Sequence, residues 1–289
     1  MARKKIIKDI EEPIPMNTKP ENFVVMSNDL VKGKSALSLN SAKLLRLTIM
    51  QSVVNENEFK PYKIGIQDFA DFLDIASGNL YRDAQTICVQ LLKEVVLIGD
   101  GNPKHKWNAF QWVTRCGYNN GTITIQLHDD MKPYILNLKK CYTQYEIDNI
   151  LYLKSMHALR VYELIKMEMR NFKVFEDKET EIYLSMEQLR IATGTEKKYE
   201  KSNDFTKRVI KVACDEINER PFGVKITYDY HKEGRKIIGY DFLIKAWNSD
   251  VVLSPEKQAR VDTFLKKQRL KEMGQFDIFD YTEYLPGEE

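Results

Sequence analysis

Between residues 197 and 211 the chain carries Lys197, Lys198, Lys201, Lys207, Arg208 and Lys211, with Asn203 among them. These residue types suit nucleic acid. Their cations neutralise phosphates and displace counterions. Arginine and lysine can also hydrogen-bond the edge of guanine, and asparagine that of adenine. At about 100° per residue, Phe205, Val209, Val212, Ala213 and Ile217 share one face of a helix. Asn203, Asp204, Lys207, Lys211 and Asn218 fall on the opposite face, with Arg208 on the flank. Such a helix can rest on a core and present its other side to a groove. Asn203, Lys207 and Arg208 are the candidate base readers, while Lys197, Lys198 and Lys201 are better placed for phosphates. Further on, the polar turn Lys232 to Lys236 adds Lys232, Arg235 and Lys236 as candidates for phosphate or minor groove.

The elements that must position these residues occur twice. In the first set a helix opens at Ser38 and runs to about Val54, and a short strand covers Tyr62 to Ile66. Two helices follow, at about 67–73 and 79–95, and strands Trp107 to Arg115 and Thr122 to Leu127 close the set. Ile123, Ile125 and Leu127 alternate with polar residues, as in a half-buried strand. In the second set a long helix is expected over about 144–170, then a strand at 181–184 and helices at about 185–192 and 202–219. The closing hairpin alternates Val224, Ile226, Tyr228 and Tyr230 against Ile238, Tyr240, Phe242 and Ile244. Helix, strand, helix, helix, hairpin is the winged-helix order, in which the second helix of the pair enters the major groove. The fold class is α+β: two tandem winged-helix domains with a C-terminal helix and tail.

The division expected is a mobile arm at 1–22, a first winged helix at 23–140, a second at 141–248, and a C-terminal helix and acidic tail at 249–289. In the third helix of the first domain, Leu80, Ala84, Ile87, Cys88, Leu91, Leu92 and Val95 form the buried face. Asn79, Arg82 and Thr86 lie opposite with Val89 and Lys93, and Val96 is also expected to be exposed. This face is less basic. It either reads DNA more weakly or contacts protein, and the second domain is expected to be the main DNA-binding one.

Composition agrees with a role exercised by binding. The net charge is only +2, so any basic field must be local. Cys88, Cys116, Cys141 and Cys214 form no C-x-x-C pair and read as reduced, buried thiols of a cytoplasmic protein. No apolar run reaches the ~18 residues of a membrane span. Gly33-Lys34-Ser35 resembles the end of a phosphate loop, but Asn28 stands where that loop needs its first glycine. His105, His128, His157 and His231 are scattered, without the paired histidines that metal-assisted DNA nicking requires. No cofactor and no metal site are expected.

Three segments resemble the iteron-binding plasmid Rep initiators. They are Val25-Met26-Ser27-Asn28-Asp29-Leu30 with Leu37-Ser38-Leu39-Asn40, Ser155 to Leu164, and Lys207 to Asn218 followed by Gly234 to Phe242. The resemblance spans about residues 23–247. It implies two winged helices on repeated double-stranded origin sites, with the second domain gripping harder. It also implies self-association through the first domain, a core role for the Arg160 to Tyr162 stretch, and no cofactor. Recruitment of host replication proteins, an initiator or a helicase, goes with it. The alternatives are a winged-helix transcriptional regulator without a replication role, and a nicking or NTP-hydrolysing enzyme.

The C-terminal stretch adds a separate expectation. Gln275-Phe276-Asp277-Ile278-Phe279 resembles the pentapeptide that binds the bacterial sliding clamp, with Phe276 where leucine is usual. Ile278 and Phe279 would enter an apolar pocket, and Gln275 would hydrogen-bond its rim.

Overall fold

A computed structural model describes residues 23–52, 57–73, 77–99, 104–151, 153–169, 179–219 and 223–247. The arm at 1–22 and the C-terminal helix and tail, including Gln275 to Phe279, lie outside these residues.

The first unit begins with β1 (Phe23–Ser27), α1 (Asn28–Lys32) and α2 (Leu39–Gln51). Then come β2 (Tyr62–Gly65), α3 (Ile66–Leu73) and α4 (Ser77–Lys93). Four strands follow: β3 (Val95–Ile98), β4 (Asn108–Gln111), β5 (Val113–Asn119) and β6 (Thr122–Leu127). β2, β6 and β5 make an antiparallel sheet, and β3 pairs with β4. Asn120 and Gly121, the two residues joining β5 to β6, both have positive φ (43° and 76°). A tight hairpin of this twist asks for that conformation, and Asn-Gly supplies it.

A short α5 (Lys132–Ile135) leads to β7 (Tyr142–Glu146), α6 (Asp148–Leu151) and α7 (Met156–Met169). The long helix expected from Gln144 onward is therefore corrected. Gln144 pairs with Val25 in an antiparallel β1–β7 ladder. Tyr142, Thr143 and Tyr145 are β-favouring residues, and β1 offers them a partner far away in sequence. The helix starts only at Met156, where the Ser155 hydroxyl accepts from the Ala158 N–H (3.1 Å).

The second unit comprises β8 (Glu179–Ser185), α8 (Met186–Thr193), α9 (Ser202–Phe205), a π-helical turn (Thr206–Ile210) and α10 (Lys211–Asn218). It ends with β9 (Gly223–Glu233) and β10 (Lys236–Trp247), in the sheet order β8-β10-β9. Ser185 caps α8 in a reciprocal capping box with Gln188. Gly194, at φ 63°, ends the helix. Its N–H donates to Ile191 O, and the Thr195 N–H donates to Arg190 O, which is a Schellman closure.

Two helices are buried nearly all round, as expected of helices at the centre of a fold. Every residue of α2 from Ser41 to Met50 is buried, and so is every residue of α7 from Ala158 to Ile165. α7 touches α1, α2 and β7 on one side and α8, α10 and the π turn on the other, so one continuous apolar core joins the units. Three smaller expectations are also corrected. Val95 is exposed, because the helix ends at Lys93 and Val95 opens β3. Val96 is fully buried, because it sits in β3 against Gly33. Cys141 is exposed, in the turn before β7. Among the described residues no helix is long and apolar enough to cross a membrane.

Candidate nucleic-acid interface

The helix running from Ser202 to Asn218 buries Phe205, Val209, Ala213 and Ile217, as its wheel assigns, leaves Val212 half-buried, and also buries Thr206, Ile210 and Cys214, which the wheel did not place in the core. Asn203, Asp204, Lys207, Arg208 and Lys211 are exposed on its other side. Asn218 departs from this pattern. Its side chain bonds the Ile226 backbone twice, donating to the oxygen and accepting from the N–H at 2.7 Å each. It therefore ties the end of α10 to β9 and does not belong to the exposed face.

The π turn in mid-helix has a visible support. The Lys211 N–H reaches back five residues to Thr206 O. The Thr206 hydroxyl lies 2.8 Å from Ser202 O and 2.8 Å from the Tyr240 hydroxyl. A hydroxyl that bonds the preceding turn competes with the regular ladder, and single π turns of this kind collect at functional sites. The effect is to anchor the exposed helix to the hairpin behind it.

The loop before this helix presents Lys197, Lys198 and Lys201, all exposed. It is held from beneath by Arg190 of α8. Nη1 of Arg190 donates to Thr195 O (3.0 Å) and Lys198 O (2.7 Å), and Nη2 donates to Tyr199 O (2.7 Å). The guanidinium also lies 4.6 Å from the centre of the Phe205 ring. Tyr199 has φ 52°, a left-handed conformation uncommon for a bulky residue. Its ring carries the Arg208 guanidinium at 5.8 Å, so Arg208 is steered to the flank of the helix. Lys211 is engaged as well, 2.5 Å from Asp215 one turn on. That carboxylate, through its hydrogen bond above all, raises the Lys211 ammonium pKa above its ordinary value.

The hairpin tip forms the wing. Its two-residue turn is Gly234-Arg235, with Gly234 at φ 61°, where a side chain would be strained. Lys232, Arg235 and Lys236 are exposed around it. Lys232 Nζ sits 5.4 Å from the Tyr230 ring centre. Tyr230 is 38% exposed although it faces the same side of the sheet as buried Tyr240, 5.9 Å away. Since Tyr240 meets Thr206, the aromatic run Tyr240, Tyr230 leads from under the exposed helix out to the wing. Ten basic or amide side chains named from sequence in this unit thus lie on its exposed helix, loop and wing.

In the first unit Asn79, Arg82 and Thr86 lie on α4 at the spacing of one helix face, and Thr86 is exposed. Sequence reasoning missed Arg190, Tyr199, Tyr230 and Asp215. Asp215 left a signal, an acid four residues after Lys211 on the expected helix, while the strand alternation placed Tyr230 on the core side and gave no sign that it is uncovered. Among the described residues no three His, Cys, Asp or Glu side chains converge to hold a metal.

Residues 23–166 match the family model of the initiator replication protein, first winged helix, and residues 185–244 match that of the initiator Rep protein, second winged helix. Among solved structures, the crystal structure of the Pi initiator protein in complex with iteron DNA shares this fold. It has 18% identity and a TM-score of 0.64, covering 80% of this chain and 100% of that one. Domains 2 and 3 of RctB align at 11% identity and a TM-score of 0.41, over 82% of this chain and 94% of that one. With both winged helices matched over most of its length, the chain belongs to the initiator replication protein family.

Proposed function

We propose that the protein initiates replication of a plasmid by binding repeated duplex sites at the origin, acting by recognition and assembly in the cytoplasm, with no catalysis on the DNA. The observation that carries this reading is the exposed edge Asn203, Lys207, Arg208 and Lys211 on a helix whose other face is core. The loop lysines precede this helix, and the hairpin that carries the basic wing is tied to it through Thr206 and Tyr240. A solvated helix face alone would not need a basic loop, a braced turn and a basic hairpin around it. Asn203 and Lys207 read bases, and Lys197, Lys198, Lys201, Lys232, Arg235 and Lys236 hold phosphates. The first unit adds Asn79, Arg82 and Thr86 as a weaker reader. Its exposed Val89, Val95 and Trp107 are the proposed surface for self-association.

The test is footprinting on the DNA flanking the gene, followed by maintenance of a plasmid carrying the footprinted region with the protein supplied in trans. Protection of repeated sites together with maintenance is expected. Protection without maintenance would leave a transcriptional regulator as the better reading. For the tail, the pattern Gln275-Phe276-Asp277-Ile278-Phe279 supports docking on the host sliding clamp. A peptide of residues 270–289 should bind the clamp in titration, and no binding up to ~100 μM, weaker than ~5.5 kcal/mol, would remove that proposal.

A further inference from the structure

We infer that Arg190 is the positioning residue for the phosphate-binding loop of the second winged helix, an inference that rests on the DNA-binding reading above. Arg190 is half-buried on α8, the helix that precedes the exposed one, and its guanidinium faces inward onto Phe205. It therefore cannot serve as a phosphate ligand without leaving its place. Its donors go instead to three carbonyls, those of Thr195, Lys198 and Tyr199. Its own backbone oxygen accepts from the Thr195 and Gly194 N–H groups. One residue thus fastens the loop at both of its ends.

The fastening has a conformational cost to offset. Gly194 and Tyr199 both have positive φ, and only the glycine is at ease there. The hydrogen bond to Tyr199 O, with the Arg208 contact on the tyrosine ring, holds the second bend. The bend lies between Lys198 and Lys201, so it decides whether Lys197, Lys198 and Lys201 stand together ahead of the helix. A planar guanidinium with donors in a fixed fork can span three carbonyls and stack on a ring at once, whereas a lysine ammonium cannot.

The experiment measures binding of the full chain to a random-sequence duplex across a salt series. Four proteins are compared: wild type, Arg190→Lys, a triple Lys197→Ala/Lys198→Ala/Lys201→Ala variant, and the combination of the two. Each phosphate contact contributes about 0.9 to the slope of log K against log salt. Arg190→Lys should lower the slope by about 2 to 3, as the triple variant does. The combination should lose no more than the triple variant alone. Amides of residues 196–201 should exchange faster in Arg190→Lys. Arg190→Met, which keeps the stem over Phe205 and removes the donors, serves if the lysine variant fails to fold. An unchanged slope in the Arg190 variants, with a slope lowered by the triple variant, overturns the role of Arg190. A slope unmoved by the triple variant overturns the DNA-binding reading of the loop itself.

Discussion

Arg46 on α2 and Glu163 on α7 form a fully buried bidentate pair, with Nε to Oε1 at 2.9 Å and Nη2 to Oε2 at 3.1 Å. The same carboxylate accepts from the Tyr145 hydroxyl (2.7 Å) and from Arg160 Nη1 (2.7 Å). Arg160 donates further to Val31 O, Gly33 O and Ala192 O. Val31 and Gly33 lie at the end of α1, and Ala192 lies at the end of α8. The network therefore ties α1 and α2 of the first unit, through α7, to the end of α8 in the second.

Loss of the Glu163 charge should unfold this joint. Burial pushes the carboxyl pKa up, but Arg46 and Arg160 outweigh it and hold it below the usual range. Glu163→Gln leaves two buried guanidinium groups short of a counter-charge, and removing one partner of a buried pair costs about 3–5 kcal/mol. Urea denaturation at neutral pH should show that loss, and a change under about 1 kcal/mol would refute it. The sign with pH follows from the lowered folded value. The contribution is present above the unfolded carboxyl value of about 4.3 and is lost as pH falls through the folded one. The variant should lack that acid-side decline.

On the proposed reading, Asp215 should compete with DNA for Lys211. The pair is exposed on both sides and 2.5 Å apart, the kind worth little to stability. Asp215→Asn should therefore leave the fold intact and tighten duplex binding by about three- to tenfold at low salt, by freeing a cation and removing a charge that repels phosphate. Anisotropy titrations at two salt concentrations check this, and the gain should shrink at the higher one. Weaker binding would show that Asp215 orients Lys211 for its contact.

His157 should make stability pH-dependent on the acid side. Burial first, and Lys198 second, hold its imidazole below the ordinary value, while Glu216 opposes them. Its folded value thus lies below the unfolded one of about 6.5. As pH falls through that value the unfolded chain takes up the proton first. Stability is then lost until the folded value is reached. Melting temperatures of wild type and His157→Phe at pH 7.5 and 5.5 should differ in their change, with the wild type losing more. Equal losses would refute the assignment.

Much of this architecture was legible because local patterns and tertiary packing agree in it. Phe205, Val209, Ala213 and Ile217 keep helical spacing and are buried, and Tyr240, Phe242 and Ile244 alternate and are buried. What failed was long-range. The strand from Tyr142 to Glu146 exists because β1 lies beside it, and no local period announces a partner more than a hundred residues away. The interface divided in the same way. Exposed cations could be read from a wheel, but Arg190 could not, since its partners are backbone carbonyls fixed by a loop with two left-handed residues. The Lys211–Asp215 pair was legible as opposite charges four residues apart on a helix, and the structure forms it.

Tyr230 and Lys232 test whether the wing grips by charge alone. Tyr230 is on the core side of β9 but reaches past the core, with Lys232 over its ring and Tyr240 behind it. On the proposed reading, an uncovered ring between the basic helix and a basic tip should pack on sugar or base, an uncharged contact. Tyr230→Ala should weaken duplex binding by about 1 kcal/mol without moving the salt slope, because no counterion is released by a ring. Tyr230→Phe should retain most of the affinity if packing is what matters, and lose as much as alanine if the hydroxyl holds a phosphate. Lys232→Ala should instead lower the slope by about 0.9. Because the ammonium rests on the ring, the double variant should lose less than the two singles added together. Strict additivity in that cycle would mean that the two side chains act on DNA independently, and that their contact in the free protein has no bearing on binding.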